Sequence, residues 1–192
     1  CEILRKRNGV YLRHDAGLGK TAITYSILND LQLKKVLIIA PATLLYNLEN
    51  ESKLWYTQHQ KVITITSSKE LQKYKKEIYT TDVITTISYN LFVILKNLTF
   101  LAKCKFEGVV CDEAHSLKSY KSKRVKAFRK FIKYTKYSIY LSATPIVNTI
   151  LDTWPIFSLL EPKYGKYWEF AHKYAKAFKA PWGWKFYGTR NE

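Results

Sequence analysis

The segment His14-Asp15-Ala16-Gly17-Leu18-Gly19-Lys20-Thr21 joins a short strand-like run, Val10–Arg13, to a run with the apolar spacing of a helix. Two glycines in such a turn let successive backbone N–H groups converge on one point, and the start of the helix adds a favourable potential for an anion. The lysine supplies an ammonium group for phosphate oxygens, and the threonine supplies a hydroxyl for a metal ion. The segment therefore predicts a nucleotide phosphate loop formed by Ala16, Gly17, Leu18, Gly19, Lys20 and Thr21.

This loop departs from the usual pattern at one position, because His14 stands where the pattern has glycine. The competing interpretation is an ordinary strand-to-helix turn that contains glycines, with Lys20 as a surface lysine. We interpret His14 itself as structural rather than catalytic.

A second segment, Asp112-Glu113-Ala114-His115, follows the apolar run 106–111. An apolar strand that ends in a carboxylate places it at the carboxyl edge of a sheet, where open α/β folds bind ligands. Asp112 is predicted to hold Mg²⁺, and Glu113 to orient or deprotonate an attacking water. The alternative is a helix-capping aspartate followed by a solvated glutamate, which is common for an isolated pair. With the phosphate loop upstream, the two segments together indicate an ATPase site.

Strand-like and helix-like runs alternate along the chain. Strands are predicted at 10–13, 36–40, 61–66, 82–86, 107–111 and 137–141. Helices are predicted at 20–31, 43–57, 68–79, 88–96, 122–133 and 149–160, with one or two more between 163 and 180. Because the strands are continuous apolar runs, we expect an α/β fold with helices on both faces of a mostly parallel sheet. The predicted organisation is a lobe at 1–162 with a small helical extension at 163–192.

The motifs resemble the first RecA-like lobe of a superfamily 2 helicase, of the Snf2 type of double-stranded DNA translocase. Gly17–Thr21 match the Snf2 phosphate loop without a break. The segments that resemble later Snf2 motifs, in the same order, are Leu37–Asn47, Val83–Tyr89, Leu141–Pro145 and its extension Asn148–Pro162. The final aromatic stretch, Pro181–Asn191, is similar to the annealing-helicase subgroup. The fold implied by the resemblance is a RecA-like P-loop NTPase lobe.

The resemblance also implies roles and partners. The DNA backbone is expected to be contacted through backbone amides and hydroxyls of Pro41, Ala42, Thr43, Thr85 and Thr86. His115 is expected to link the acidic motif to Ser142 and Thr144, which would couple nucleotide to DNA. The implied cofactors are ATP and Mg²⁺. The implied partners are double-stranded or branched DNA and a second RecA-like lobe, whose arginines complete the site; residues 1–192 are thus expected to be half of a motor.

The composition agrees with a polyanionic partner. The chain has 32 basic and 15 acidic residues, a formal charge of +17 and a pI near 9.7. Lysines and arginines that neutralise phosphates release counterions, which favours nucleic-acid binding. The alternative is a soluble, lysine-rich domain from an AT-biased coding source, so charge alone does not decide the partner.

The cysteines argue against a zinc site or a disulfide framework. Cys1, Cys104 and Cys111 are odd in number and lack C-x-x-C spacing. They fit a reducing, intracellular compartment with access to DNA, either a nucleus or the cytoplasm of a prokaryotic or infected cell. No apolar run approaches the ~20 residues that span a bilayer, so no membrane partner is expected.

Aromatic residues interleaved with lysines crowd the segment 164–187. Such residues can stack on bases or follow a nucleic-acid backbone. They can also pack a terminal helical subdomain onto the core, and this is the interpretation we favour. The lysine-rich segment 118–136 is interpreted as a solvated helix face.

Two other functions remain open from the sequence. The first is a non-hydrolysing lobe that binds DNA or acts as a scaffold while retaining the motifs. The second is a DEAH-box RNA helicase, against which the Snf2-like pattern after Thr144 argues.

Overall fold

The computed structural model describes residues 2–13, 15, 17–57, 61–144 and 149–189. Its main sheet consists of β1 (Gly9–Arg13), β2 (Val36–Ala40), β3 (Val62–Ile65), β4 (Ile84–Ser88), β5 (Gly108–Cys111) and β6 (Tyr137–Ser142). The strands lie in the order β1-β6-β5-β2-β4-β3, and every neighbouring pair is parallel. The predicted α/β class and parallel sheet are confirmed, and each predicted strand overlaps an observed one.

Ten α-helices accompany the strands in the described part of the chain. They are α1 (Glu2–Arg7), α2 (Lys20–Asp30), α3 (Leu45–Trp55), α4 (Ser68–Lys73), α5 (Lys75–Thr80), α6 (Tyr89–Phe92), α7 (Leu95–Lys103), α8 (Lys123–Phe131), α9 (Trp154–Leu160) and α10 (Tyr167–Tyr174). The predicted helix 68–79 is divided at Tyr74. The predicted helix 88–96 is interrupted where Ile94 is extended, and α7 continues beyond it because Leu98 and Leu101 are buried in the core.

The sheet separates two hydrophobic cores, and β2 shows how the sequence builds both. Alternate residues of a strand point to opposite faces. Leu37 and Ile39 pack in the core that contains residues of α4–α8, whereas Val36, Ile38 and Ala40 pack in the core that contains residues of α1–α3. All five side chains are fully buried. The continuous apolar run of β2 is therefore required by burial on both faces.

The C-terminal extension differs from the prediction. It contains α10 and then an antiparallel hairpin, β7 (Lys176–Ala180) and β8 (Gly183–Tyr187), so a purely helical extension is wrong. Both strands are largely exposed, and Ala180 is the one buried residue of the hairpin strands. Gly183 at the turn has φ 125°, which L side chains rarely adopt.

Two further expectations can be compared with the described residues. Cys104 and Cys111 are buried and free, and burial raises the pKa of both thiols, that of Cys104 to about 11. Cys1 lies outside the described residues. Within the described ranges, the helices are too short or too polar to cross a membrane.

Candidate nucleotide and nucleic-acid edge of the sheet

The predicted motifs meet at the carboxyl ends of five adjacent strands. The phosphate loop follows β1, Ser142 ends β6, and Asp112 follows β5. The segments predicted to contact DNA belong to β2, β4 and the loops after them. Because neighbouring strands lie about 4.8 Å apart, the strands that carry the phosphate loop and the acidic pair are separated by about 10 Å, with β6 between them. Parallel pairing therefore places motifs that are far apart in the sequence at the same edge of the sheet.

The phosphate loop has the backbone conformation that its glycines make accessible. Gly17 has φ 82° and Gly19 has φ 69°, both in the left-handed region. A Cβ atom at Gly17 would meet nothing within 4 Å, so this glycine is required by backbone conformation rather than by space. Leu18, between them, is 59% exposed, and α2 starts directly after Gly19. His14 and Ala16 lie outside the described residues.

Lys20 and Thr21 occupy the first turn of α2. The Nζ atom of Lys20 lies 3.4 Å from the backbone oxygen of Asp15, so the ammonium folds back over the loop. Burial raises the pKa of Asp112, and the Lys20 ammonium group partly opposes this rise, so the two motifs lie within electrostatic range of each other. The helix start, the ammonium group and the Thr21 hydroxyl together suit a phosphate group with an associated cation.

Asp112 is a buried carboxylate, 7% exposed. Burial raises its pKa, and the neighbouring Glu113 carboxylate raises it further. The backbone N–H of Glu113 donates to Oδ1 of Asp112 at 3.0 Å and, like Lys20, opposes the rise. Two adjacent carboxylates, one of them buried, form a site that a cation would stabilise.

Glu113 adopts a left-handed backbone conformation, with φ 49° and ψ 54°. For a residue with a side chain this costs about 1–3 kcal/mol, and such residues cluster at functional sites. Its Oε2 atom lies 3.1 Å from Nδ1 of His115, at ion-pair distance but without the angle of a hydrogen bond. Because of this turn after β5, the Glu113 side chain lies beside His115, whereas the Asp112 side chain is buried.

The oxygen donors present suit Mg²⁺. Among the described residues, no three His, Cys, Asp or Glu side chains converge as a metal site. Mg²⁺ does not need such a cage, because it keeps several waters and binds one or two carboxylates together with substrate phosphates. The Asp112 carboxylate and the Thr21 hydroxyl provide this sparse donor set.

The segment predicted to couple the motifs ends β6. Ser142 is fully buried, and its Oγ accepts a hydrogen bond from the backbone N–H of Thr144 at 3.2 Å. In the described part of the chain, His115 is hydrogen-bonded to neither residue, so its predicted linking role stays a prediction. Tyr11 of β1 was missed from the sequence. Burial raises the pKa of Tyr11, a hydrogen bond with Ser142 opposes this rise, and the Glu113 carboxylate raises the pKa further, so the Tyr11 side chain on β1 lies near both the end of β6 and the acidic motif.

A cleft of about 260 Å³ opens where β2 and β4 end. It is lined by Pro41, Ala42, Thr43, Ser88, Tyr89, Asn90, Ser116 and Arg124. Thr43 and Asn90 are exposed, and Nη2 of Arg124 donates to Oδ1 of Asn90 at 2.8 Å. The structure therefore brings the predicted residues 41–43 to a polar cleft that also carries a guanidinium group.

The predicted DNA contacts of Thr85 and Thr86 are wrong for this structure. Both residues are 0% exposed, in the middle of β4. The strand was predicted to end at 86 but continues to Ser88, and it lies between β2 and β3 with both faces covered. A shift of the strand end by two residues thus moves both hydroxyls from the edge into the interior. Ser88 and Asn90 occupy the edge instead.

Comparison with known proteins identifies the family. The chain matches the SNF2-related domain over residues 2–188. The chain belongs to this family. The SWI2/SNF2 ATPase core of Sulfolobus solfataricus, solved in complex with dsDNA, is similar to this SNF2-related domain with a TM-score of 0.72 and 30% identity, covering 90% of this chain and 36% of that one.

Curated relatives are similar over most of this SNF2-related domain. The human DNA repair and recombination protein RAD54B is 28% identical over 81% of this chain and 18% of its own length. An uncharacterized ATP-dependent helicase of Mycoplasma genitalium is 32% identical over 88% of this chain and 16% of its own length. The chain spans less than a fifth of the length of these relatives. The resemblance of residues 181–191 to the annealing-helicase subgroup stays a prediction.

Tyr89 of the SNF2-related domain, which the sequence did not single out, connects the cleft at the ends of β2 and β4 to the acidic motif. Tyr89, 3% exposed, donates a hydrogen bond from its hydroxyl to the backbone oxygen of Asp112 at 2.9 Å. The backbone N–H of Asp112 donates to the oxygen of Ile39 at 2.9 Å. The peptide groups on both sides of the Asp112 α-carbon are therefore bound to β2 and α6, the elements beside the cleft where β2 and β4 end.

We expect Tyr89→Phe to lower the free energy of unfolding by about 1–2 kcal/mol, because the buried oxygen of Asp112 loses its donor. Nucleotide turnover stimulated by DNA should fall more than basal turnover, because the lost bond joins the cleft to the acidic motif. Chemical denaturation and ATPase assays with and without duplex measure the two effects.

Tyr56→Phe is the matched control for Tyr89→Phe. Tyr56 is 5% exposed and donates to the backbone oxygen of Leu33 at 2.5 Å, away from the cleft and from the acidic motif. It should lose similar stability and keep the ratio of stimulated to basal turnover. An equal change of this ratio in both variants would show that Tyr89 only supports the fold.

Proposed function

We propose that this chain is the first, ATP-binding RecA-like lobe of an ATP-dependent double-stranded DNA translocase or helicase. One observation carries the proposal: loops suited to nucleotide on β1, β6 and β5 continue, along the same edge, into a polar cleft on β2 and β4. A conformational change in the nucleotide-binding loops can therefore be transmitted through adjacent strands to the cleft that would bind DNA. In this proposal, residues 1–162 form the lobe and 163–192 its extension.

The nucleotide would be bound by the loop between β1 and α2. Backbone N–H groups around Gly17 and Gly19 would bind phosphate oxygens, and Lys20 would offset the charge on the β- and γ-phosphates. Thr21 and Asp112 would hold Mg²⁺, which when bound supplies positive charge to the phosphoryl oxygens. Glu113 would orient the attacking water and accept its proton.

Efficient hydrolysis is proposed to need a second RecA-like lobe. In related NTPases an arginine supplied from outside the phosphate-loop domain contributes about 10³–10⁵ in rate. The similar SWI2/SNF2 core is covered by this chain over 36% of its length, which leaves room in that protein for another lobe. Residues 1–192 alone are thus expected to bind nucleotide but to turn it over slowly.

DNA would be bound through its backbone. The cleft offers the backbone N–H groups of Ala42 and Thr43, the Thr43 hydroxyl, the Asn90 amide and the Arg124 guanidinium, which are groups that contact phosphates rather than read bases. The +17 charge of the chain adds a long-range attraction for a polyanion. The similar core solved with dsDNA supports this assignment.

Duplex binding should therefore be nearly independent of base sequence and depend steeply on salt. The logarithm of the binding constant should fall by about 0.9 per neutralised phosphate against the logarithm of salt concentration. Arg124→Ala should reduce this slope by about 1, whereas Lys126→Ala, an exposed change on the same helix outside the cleft, serves as the control. Titration of random and defined duplexes at several salt concentrations measures both. A strong preference for one sequence, or a slope that both variants change equally, would contradict the assignment of the cleft.

The function itself is tested by ATPase assays on the full gene product. Turnover stimulated by duplex DNA is the expected result. Nucleotide binding without turnover under all conditions would favour the non-hydrolysing scaffold instead. Stimulation by RNA and not by duplex DNA would favour an RNA helicase.

A further inference from the structure

A second cleft, of about 410 Å³, lies between the loop after the acidic motif and the C-terminal hairpin. Its lining is Lys118, Ser119, Tyr120, Lys121, Thr149, Leu151, Asp152, Tyr167, Trp168, Trp184, Lys185 and Phe186. We call it the aromatic cleft. Its volume lies in the range of about 300–1,000 Å³ that is typical of small-ligand pockets, and none of the predicted nucleotide or DNA residues line it.

The aromatic cleft has a packed floor. The rings of Tyr120 and Tyr167 are stacked, with centroids 3.9 Å apart and an interplanar angle of 23°. Both rings meet Trp154 edge to face, and Trp154 is 8% exposed. These rings account for the packing role that the sequence suggested for the aromatic residues.

Two indole rings at the mouth of the cleft are not packed into this floor. Trp168 is 52% exposed and Trp184 is 49% exposed. Trp184 meets the ring of His172 edge-on at 4.9 Å, and Trp168 meets Phe186 at 5.7 Å. Each indole is therefore positioned by a neighbouring ring while about half of its surface remains open to solvent.

The charge around these indoles is positive. Lys118, Lys121 and Lys185 line the cleft, and its single carboxylate, Asp152, accepts a hydrogen bond from the Thr149 backbone N–H in a capping box. Over residues 163–189 the sequence has six lysines and one glutamate. The chemistry of the surface thus matches a ligand that combines flat apolar rings with negative charge.

The outer face of the hairpin repeats this pattern. The cross-strand pairs Lys176–Tyr187 and Phe178–Lys185 place lysines and aromatic rings alternately on one face. All four residues are exposed, and the Phe178 and Tyr187 rings lie 5.9 Å apart. Alternation of cations with open rings is the arrangement by which single strands are bound, since bases stack and phosphates pair with lysines.

We propose that the aromatic cleft binds unpaired bases of a single-stranded nucleic-acid segment, with bases stacked on Trp184 and Trp168 and phosphates beside Lys121. Stacking uses the π-face that every base has, so the site tolerates any sequence. The aromatic cleft would thus bind unpaired strands, whereas the cleft at the ends of β2 and β4 suits the backbone of a duplex. It does not depend on the duplex proposal, because the two clefts share no lining residue.

The test is binding of fluorescein-labelled oligo-dT and of a blunt duplex to the full gene product, followed by fluorescence anisotropy. Trp184→Ala should weaken oligo-dT binding by about 5- to 150-fold, the range for loss of one base–aromatic stack, and leave duplex affinity within about twofold. Trp184→Phe, which keeps an aromatic face, should retain most of the affinity. Trp55→Ala is the matched control, because Trp55 is 47% exposed but lies at the end of α3.

The charge component is tested separately. Lys121→Ala should reduce the salt dependence of oligo-dT binding by about 0.7 in the logarithmic slope, the value for one phosphate of a single strand. The slope for the duplex should not change. If the duplex fails to bind while oligo-dT binds as described, the proposed function fails and this site stands.

Three results would overturn the site. One is oligo-dT affinity of Trp184→Ala equal to that of the parent. A second is an equal loss of oligo-dT and duplex binding in this variant. The third is a lower thermal midpoint with unchanged oligo-dT affinity, which would make the cleft a packing surface for protein. Should alanine unfold the hairpin, Trp184→Leu keeps an apolar side chain without a π-face, and parental oligo-dT affinity in that variant would equally refute stacking.

Discussion

Lys20→Ala is expected to remove nearly all nucleotide-dependent activity of the full gene product. The ammonium group lies over the phosphate loop, at the start of α2, where its charge adds to that of the backbone N–H groups. Loss of one preorganised donor to a transferring group typically costs about 10²–10³ in rate, so kcat/KM for ATP should fall at least 100-fold. Steady-state ATPase assays and nucleotide titration measure the effect.

Two further variants serve as comparisons for Lys20→Ala. Lys20→Arg keeps the charge but replaces a compact ammonium by a planar fork, so it should recover only part of the activity. Lys34→Ala removes an exposed lysine beyond the other end of α2 and should be neutral. Activity of Lys20→Ala within about threefold of the parent would mean that the loop is an ordinary turn.

Glu113→Gln should spare ATP binding and slow hydrolysis by about 10²–10⁴, the usual contribution of a general base. The metal ligand Asp112 is kept, and glutamine can adopt the same backbone conformation at the same cost. Single-turnover hydrolysis and nucleotide affinity, measured on the same preparation, separate chemistry from binding. Glu77→Gln, which breaks only the surface ion pair with Lys61, is the control. Hydrolysis at the parental rate would show that Glu113 does not handle the attacking water.

The nucleotide edge could be predicted from the sequence because its chemistry restricts the residue types. Glycine is favoured where Gly17 and Gly19 have positive φ, and a buried strand before Asp112 fixes which edge the carboxylate occupies. Parallel pairing then follows from the apolar runs, and it brings β1, β6 and β5 together without any further information.

The DNA-side edge was predicted less well because it depends on where a strand ends. An extension of β4 by two residues turns Thr85 and Thr86 from surface groups into interior ones. The hydrogen bond from Tyr89 to Asp112 joins residues distant in sequence, and no local pattern reports it. The hairpin at 176–187 was missed because the adjacent apolar pairs Ala177-Phe178 and Phe186-Tyr187 break the strict alternation that indicates a half-buried strand.

The position of β1 has a mechanical consequence. Among the strands that the structure describes, it is an edge strand, hydrogen-bonded to β6 alone, whereas β5 is paired on both sides. Edge strands open locally at lower free energy than central ones, so the phosphate loop is attached to one of the two strands most ready to separate. A ligand held by both this loop and the turn after β5 would add RT ln(1 + [L]/Kd) to the stability of the closed sheet. Bound nucleotide would then connect the loop after β1 to the turn after β5. This connection would hold β1 in the sheet in place of the second neighbouring strand that it lacks.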